Sequence, residues 1–176
     1  MPGIARPMKD GGYEIIAGHR RRHACEFVGL TTMPMFIRDY TDDEATIIMV
    51  DSNIQREDIL PSEKAKAYFM KYEAVKHQGK KGKGNSLDEV GETAGESAKT
   101  VQRYIYLARL SDALLDMVDK KKIGIVQGVE LSFLTEQQQE WVQVVLEETG
   151  VIISTAQASK LKEHGKSDEL TLPMVR

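Results

Sequence analysis

The sequence predicts a mainly α-helical protein, with a small α+β portion in front of an all-helical portion that contains a helix-turn-helix. Three observations carry this. Short apolar runs beside turn-forming glycines, the pattern of strands, occur in residues 1–50. Beyond residue 60, helix-start residues and apolar spacings of three and four recur almost throughout. Residues 87–108 then set out a small residue, a glycine turn and a capped second helix in helix-turn-helix order.

The elements follow in order. Gly11-Gly12 suits a tight turn, and Tyr13 to Ile16 reads as a strand leaving it. A helix is expected from Arg20 to Val28, stopped by Gly29, and a second strand from Met33 to Ile37. Thr41 and Glu44 make a capping box that starts a short helix, Asp42 to Val50. Pro61 suits the first position of a helix running to about His77. The stretch QGKKGKGNS, residues 78–86, reads as a basic, glycine-rich loop. Further capping boxes are expected at Ser86 with Glu89, Thr135 with Gln138, and Ser154 with Gln157, and helix stops at Gly150 and Gly165. The expected domains are 1–60 and 61–165, with 166–176 a frayed tail or linker.

Composition narrows the class. The chain has 176 residues, 41% hydrophobic and 29% charged, which is globular and large enough to bury a core. No apolar run approaches the roughly 20 residues of a membrane helix. The start, MPGIARPMKDGG, lacks the apolar stretch of a secretory signal. With Cys25 as the single cysteine, a soluble protein in a reducing cytoplasm is expected. Cys25 is expected to be a buried thiol beside Phe27 and Val28, and Trp141 to lie on a core-packing helix with Val142, Val145 and Leu146. His19, His23, His77 and His164 show no metal-ligand spacing, so no metal site is expected from them. The net charge is −3, yet residues 61–109 carry 10 Lys+Arg against 6 Asp+Glu. A local basic stretch on an acidic chain suits a confined anion-binding surface, or a merely solvated helix.

The helix-turn-helix region gives that surface a shape. Leu87, Val90 and Ala94 share one helical face, Gly91 permits a close crossing, Gly95 supplies the turn, and Ser97 can cap the second helix. Ala98, Val101, Ile105 and Ala108 form its inward stripe, leaving Lys99, Thr100, Gln102, Arg103 and Tyr106 outward. Those types suit DNA: arginine donates in parallel to guanine, glutamine pairs with adenine, and serine, threonine and lysine hold phosphates. Lys80, Lys81 and Lys83 fit a DNA-backbone loop or a solvated linker. A helical hairpin with a polar surface also satisfies the spacing.

The run Arg20-Arg21-Arg22 follows Gly18 at a strand-to-helix junction. A solvated helix start, a DNA-backbone clamp and a phosphate cradle all fit it. The downstream reader frees these arginines for another anion, and the glycine at a helix start favours the cradle.

Gly18-His19-Arg20-Arg21-Arg22-His23-Ala24 resembles the glycine-acid-arginine-arginine box of the ParB family of chromosome and plasmid partition proteins. Ser52-Asn53-Ile54-Gln55-Arg56-Glu57-Asp58-Ile59 with Pro61 resembles the family's asparagine-(Leu/Ile)-glutamine-arginine box and the helix after it. The helix-turn-helix follows in the family's order, and Lys122-Ile123-Gly124-Ile125 resembles its next helical segment. The resemblance implies a ParB/sulfiredoxin-like amino-terminal fold, here truncated, with further strands and a carboxy-terminal dimerisation domain expected outside this chain.

It further implies a clamp-like homodimer that recognises a centromere-like site in double-stranded DNA and works with a Walker-type partition ATPase in the cytoplasm, on a nucleoid or plasmid. The implied cofactors are CTP and Mg2+, with nucleotide-binding residues Gly18, His19, Arg20, Arg21, Asn53 and Arg56. CTP hydrolysis is implied by the family alone. The family's usual glutamates are replaced by His19 and Ser52, and Asp51, one place earlier, is the candidate substitute. Three alternatives stand beside this reading. A sulfiredoxin-like redox enzyme would need a cysteine where Gly18 stands, and a nuclease would need a cluster of acids or histidines that is absent from the sequence. A helix-turn-helix transcription regulator of a mobile element, without nucleotide gating, fits the same residues.

Overall fold

The structure, a computed structural model, describes residues 2–56, 58–78, 86–167 and 169–175. Gly11 and Gly12 take φ values of 92 and 85, a backbone state that glycine adopts without a Cβ penalty. They reverse the chain between β1 (Gly3–Pro7) and β2 (Tyr13–Ala17), which pair antiparallel. From β2 the chain enters α1 (His19–Phe27), turns at Gly29 with φ 77, and returns as β3 (Met35–Ile37). β3 pairs with β1 in parallel, so the sheet order is β2-β1-β3. Arg6 on β1 ties this sheet together, with Glu14 of β2 at 2.6 Å and Asp42 beyond the sheet at 2.6 Å.

Asp42 opens α2 (Asp42–Ile54), where Thr41 and Glu44 form the expected capping box. The helix overruns the expected end at Val50 because no glycine or proline stops it, and Val50 and Ile54 are both buried. The overrun places Asp51, Ser52 and Asn53 on the last turn. α3 (Pro61–His77) has both expected ends. There follow α4 (Ser86–Glu92), α5 (Ala98–Leu107), α6 (Asp112–Asp119), α7 (Ile125–Leu131), α8 (Glu136–Thr149), α9 (Thr155–Lys166) and α10 (Leu172–Val175). Thr135 and Ser154 close full capping boxes on α8 and α9, and Gly150 ends α8 at φ 64. Ser86, expected as a cap, is instead the first residue of α4, and residues 79–85 before it lie outside the described residues.

Two apolar clusters organise the helices. One joins Val50 and Ile54 of α2 to Tyr68 and Val75 of α3, Val90 of α4, and Val101 and Ile105 of α5. The other gathers Ala65 of α3, Leu107 of α5 and the buried faces of α6 to α9, with Leu170. Because α3 and α5 contribute to both, the helix-turn-helix is anchored on two sides. Each fully buried aliphatic side chain contributes roughly 1.5–3 kcal/mol before the entropy of ordering is subtracted.

Three expectations are corrected. Gly165 is not a stop; it lies inside α9, where an added Cβ would meet Leu134 Cδ2 at 2.4 Å. Its lack of a side chain seats α9 against the α7–α8 corner. The segment after Lys166 is not frayed, since Leu170 is buried in the core and α10 packs on α8. Nor is Cys25 a buried thiol. α1 buries no residue, Cys25 is half-buried, and Phe27 and Val28 are exposed, because Arg20 to His23 leave the helix too little apolar surface to anchor it.

Candidate phosphate site and nucleic-acid interface

The junction from β2 to α1 is built on two glycines. Gly18 has φ 111, and a Cβ there would lie 3.0 Å from Gly3 Cα. A Cβ on Gly3 would in turn lie 2.5 Å from Met35 Sδ and 3.0 Å from Ala17 O. The two backbones therefore touch in a way that only glycines permit, and α1 starts directly at the end of the sheet. No side chain caps α1 and no acid lies in its first turn. The first amides of any helix lack intrahelical acceptors, so this end carries partial positive charge beside His19, Arg20 and Arg21, all exposed. Arg22 is turned along the helix instead, its Nε donating to Glu26 at 2.8 Å. Such an arrangement can hold an anion of several oxygens through amides and guanidinium groups together.

The second group of expected residues lies on the last turn of α2, which packs against β2. Asn53 is exposed, its Nδ2 donating to Met49 O at 2.9 Å, and Arg56 is exposed just beyond the helix. Ser52 Oγ donates to the same carbonyl at 2.8 Å. Asp51 cannot stand in for the acid missing at Ser52: its carboxylate is 2.5 Å from Lys71 Nζ, and that ammonium also donates to Thr93 Oγ1 at 3.2 Å. Lys71 is buried, and freeing Asp51 would strand its charge. Among the described residues, no group of three or more His, Cys, Asp or Glu is arranged to hold a metal.

In the helix-turn-helix, a Cβ on Gly91 would lie 2.3 Å from Glu96 O, so the turn folds directly over this glycine. Gly95 takes φ 66, and Ser97 Oγ accepts from Thr100 N at 3.3 Å as the cap of α5. Val101 and Ile105 are buried as expected, and Leu107 joins them. Lys99, Gln102 and Arg103 are exposed. Thr100 and Tyr106 are half-buried; the Tyr106 ring packs tilted against Phe133, centroids 5.1 Å apart, a partner in the distant α7–α8 corner that helical spacing does not reveal. Glu96, the acid of the turn, pairs with Lys64 of α3. Lys80, Lys81 and Lys83 lie outside the described residues.

Sequence reasoning missed Lys71, Thr93 and Lys64. A signal existed for Lys71: it falls on the apolar stripe of α3, between Tyr68 and Val75, where a cation needs a buried partner. Thr93 and Lys64 carried none, because their partners are 22 and 32 residues away.

The fold and these surfaces define a helix-turn-helix protein preceded by a small α+β domain with a glycine-led, arginine-rich helix. A model of the ParB N-terminal domain matches residues 1–54, and over most of its length this chain is similar to proteins of the ParB family. It is 32% identical over 165 residues to the probable chromosome 1-partitioning protein ParB of Deinococcus radiodurans, an alignment covering 94% of this chain and 54% of that one. It is 31% identical over 162 residues to the chromosome-partitioning protein Spo0J of Thermus thermophilus, covering 92% and 56%. The chain thus spans about half the length of these curated relatives. Its fold resembles that of a C-terminally truncated chromosome-partitioning protein ParB from Caulobacter crescentus complexed to the centromeric parS site, with TM-score 0.54 and 22% identity over 93% of this chain and 82% of that one. The expected family and mainly α fold are both borne out.

Proposed function

We propose that this chain is the nucleotide- and DNA-binding portion of a ParB-type partition protein that recognises a centromere-like duplex site. The observation that carries the reading is α5, capped by Ser97 and anchored by Val101, Ile105 and Leu107, with Lys99, Gln102 and Arg103 exposed. The relatives named as partitioning proteins, and the Caulobacter relative's complex with a centromeric site, support carrying this to duplex DNA. Arg103 and Gln102 would read guanine and adenine edges in the major groove, while Ser97, Lys99 and Thr100 would hold phosphates. Tyr106 would add an edge contact, and Lys80, Lys81 and Lys83 would follow the backbone.

The residues also fit a nucleoside triphosphate, which we assign as CTP. The uncapped start of α1 lacks acids, and Gly18 leaves room against the sheet where a Cβ would clash. Gly18, His19, Arg20 and Arg21 would hold phosphate oxygens, with Asn53 and Arg56 completing the pocket from α2. Bound CTP would supply a polyanion that draws the two groups together, closing a homodimeric clamp that answers to a Walker-type ATPase. The residues do not fit a protein-held Mg2+: His19 and Ser52 replace the acids, and Asp51 is held by Lys71. No hydrolytic step is assigned to them.

Selection of duplexes from a random pool tests the DNA reading. One enriched motif is expected, lost or relaxed in Arg103→Ala, and an unenriched pool would overturn the assignment. The same replaced acids favour a second reading, a regulator without nucleotide gating. CTP titration separates the two. Binding abolished by Arg20→Ala supports the clamp, and no binding by the wild-type chain supports the regulator.

A further inference from the structure

The outward face of α5 does not end with the helix. Arg109, just past its end, lays its guanidinium 4.9 Å from the Tyr106 ring centre, and the Tyr106 ring packs tilted against Phe133 at 5.1 Å. Two lysines of α9 lie over Phe133, Lys162 Nζ at 4.1 Å and Lys166 Nζ at 5.6 Å. These lysines are one helical turn apart and flank Gly165, whose missing side chain lets α9 approach Leu134, the neighbour of Phe133. Three cations and two aromatic rings thus form a continuous ridge from the reading helix to α9.

Two acids beside this ridge have partners. Glu130 neutralises Lys162 at 2.9 Å. Glu169 accepts from Ser167 Oγ at 3.0 Å and faces His164. No ion pair among the described residues involves Arg109 or Lys166, and both are exposed. Two cations held on rings without an ion pair, Arg109 and Lys166, raise the local potential and suit a polyanion. The geometry selects the polyanion's form. An α5 of 10 residues rises about 15 Å, close to the roughly 12 Å width of a major groove. With the Ser97–Lys99 end at one groove wall, a helix of that length would carry the ridge toward the phosphates of the other.

We propose that Arg109 and Lys166, positioned by Tyr106 and Phe133, form a second phosphate-contact site of duplex DNA beyond the reading helix. The site rests on the reading of α5 as the duplex reader. It contributes affinity independent of sequence, whereas Arg103 contributes sequence preference.

The test is the salt dependence of binding, by fluorescence anisotropy, to a selected duplex and a random-sequence duplex of equal length. Lys166→Gln should weaken both by the same factor, roughly 3- to 10-fold near 0.1 M salt, and reduce the slope of log affinity against log salt by about 0.9. Lys166→Arg should restore both. Unchanged affinity and slope in Lys166→Gln, while Arg103→Ala still loses the selected duplex, overturn the second site and leave the α5 reading intact. A wild-type chain that binds neither duplex overturns both.

Discussion

Lys71 Nζ lies 2.5 Å from Asp51 Oδ1, with 3% of the lysine side chain and 26% of the aspartate side chain exposed. The pair joins α3 to the last turn of α2, and through Thr93 it reaches the turn of the helix-turn-helix. Removing one partner of a buried pair costs more than the pair's net contribution, because the other charge is left unpaired. The two partners differ in how well water can reach them. Asp51→Ala should therefore destabilise by about 3 kcal/mol, whereas Lys71→Met, which leaves a partly exposed carboxylate, should cost about half as much. Urea unfolding of both variants measures this asymmetry, and equal losses would contradict it.

Tyr68 predicts an alkaline effect. Burial, then the charge of Glu96, pushes its phenol above the ordinary value of 10.0. The native state keeps this proton where the unfolded chain loses it, so the contribution is complete below about pH 10 and falls as pH rises further. Tyr68 Oη faces Glu96 and makes no hydrogen bond of ordinary geometry among the described residues. Tyr68→Phe should thus change stability by less than about 1 kcal/mol at pH 7 and flatten the loss above pH 10. Denaturation midpoints of both proteins between pH 7 and 11 are the comparison, on the order of the range where tyrosine ionises.

The turn over Gly91 predicts a coupled loss. A Cβ 2.3 Å from Glu96 O must displace backbone, since no flexible side-chain end can yield. Gly91→Ala should cost roughly 1–3 kcal/mol and weaken duplex binding beyond what unfolding accounts for, because Ser97 and α5 move with the turn. Thermal melts and anisotropy on the same sample separate the two effects.

Gly18 predicts the reverse balance. Alanine there meets both φ 111 and the Gly3 backbone at 3.0 Å. Gly18→Ala should lose roughly 1–3 kcal/mol and abolish CTP binding, with duplex binding retained once the protein is folded. Calorimetric titration with CTP, beside anisotropy on a selected duplex, tests this.

Local chemistry was the part of the fold legible in the sequence. The boxes at Thr41, Thr135 and Ser154, Pro61 at the start of α3 and the left-handed glycines at 29, 95 and 150 are contained within a few residues of chain. What depends on distant partners was not legible. Gly165 reads as a stop until Leu134 is known to press against it, and Leu170 reads as tail until a core is there to receive it. For the candidate site, the residue types at Gly18 to Arg21 and Ser97 to Arg103 were visible as motifs. The engagement of Asp51 was not, because Lys71 reaches it from α3, its ammonium also held by Thr93 in the turn after α4.

The apolar cluster under α5 includes Val50 and Ile54, which precede the reading helix by more than 40 residues. A fragment cut to begin at Pro61 would keep the whole helix-turn-helix yet lose those two side chains and the Lys71 counter-ion. Its reader would rest on a floor with one side missing and an ammonium in the gap. The smallest portable form of this reader accordingly starts at Thr41, where the cap of α2 sets that floor in place.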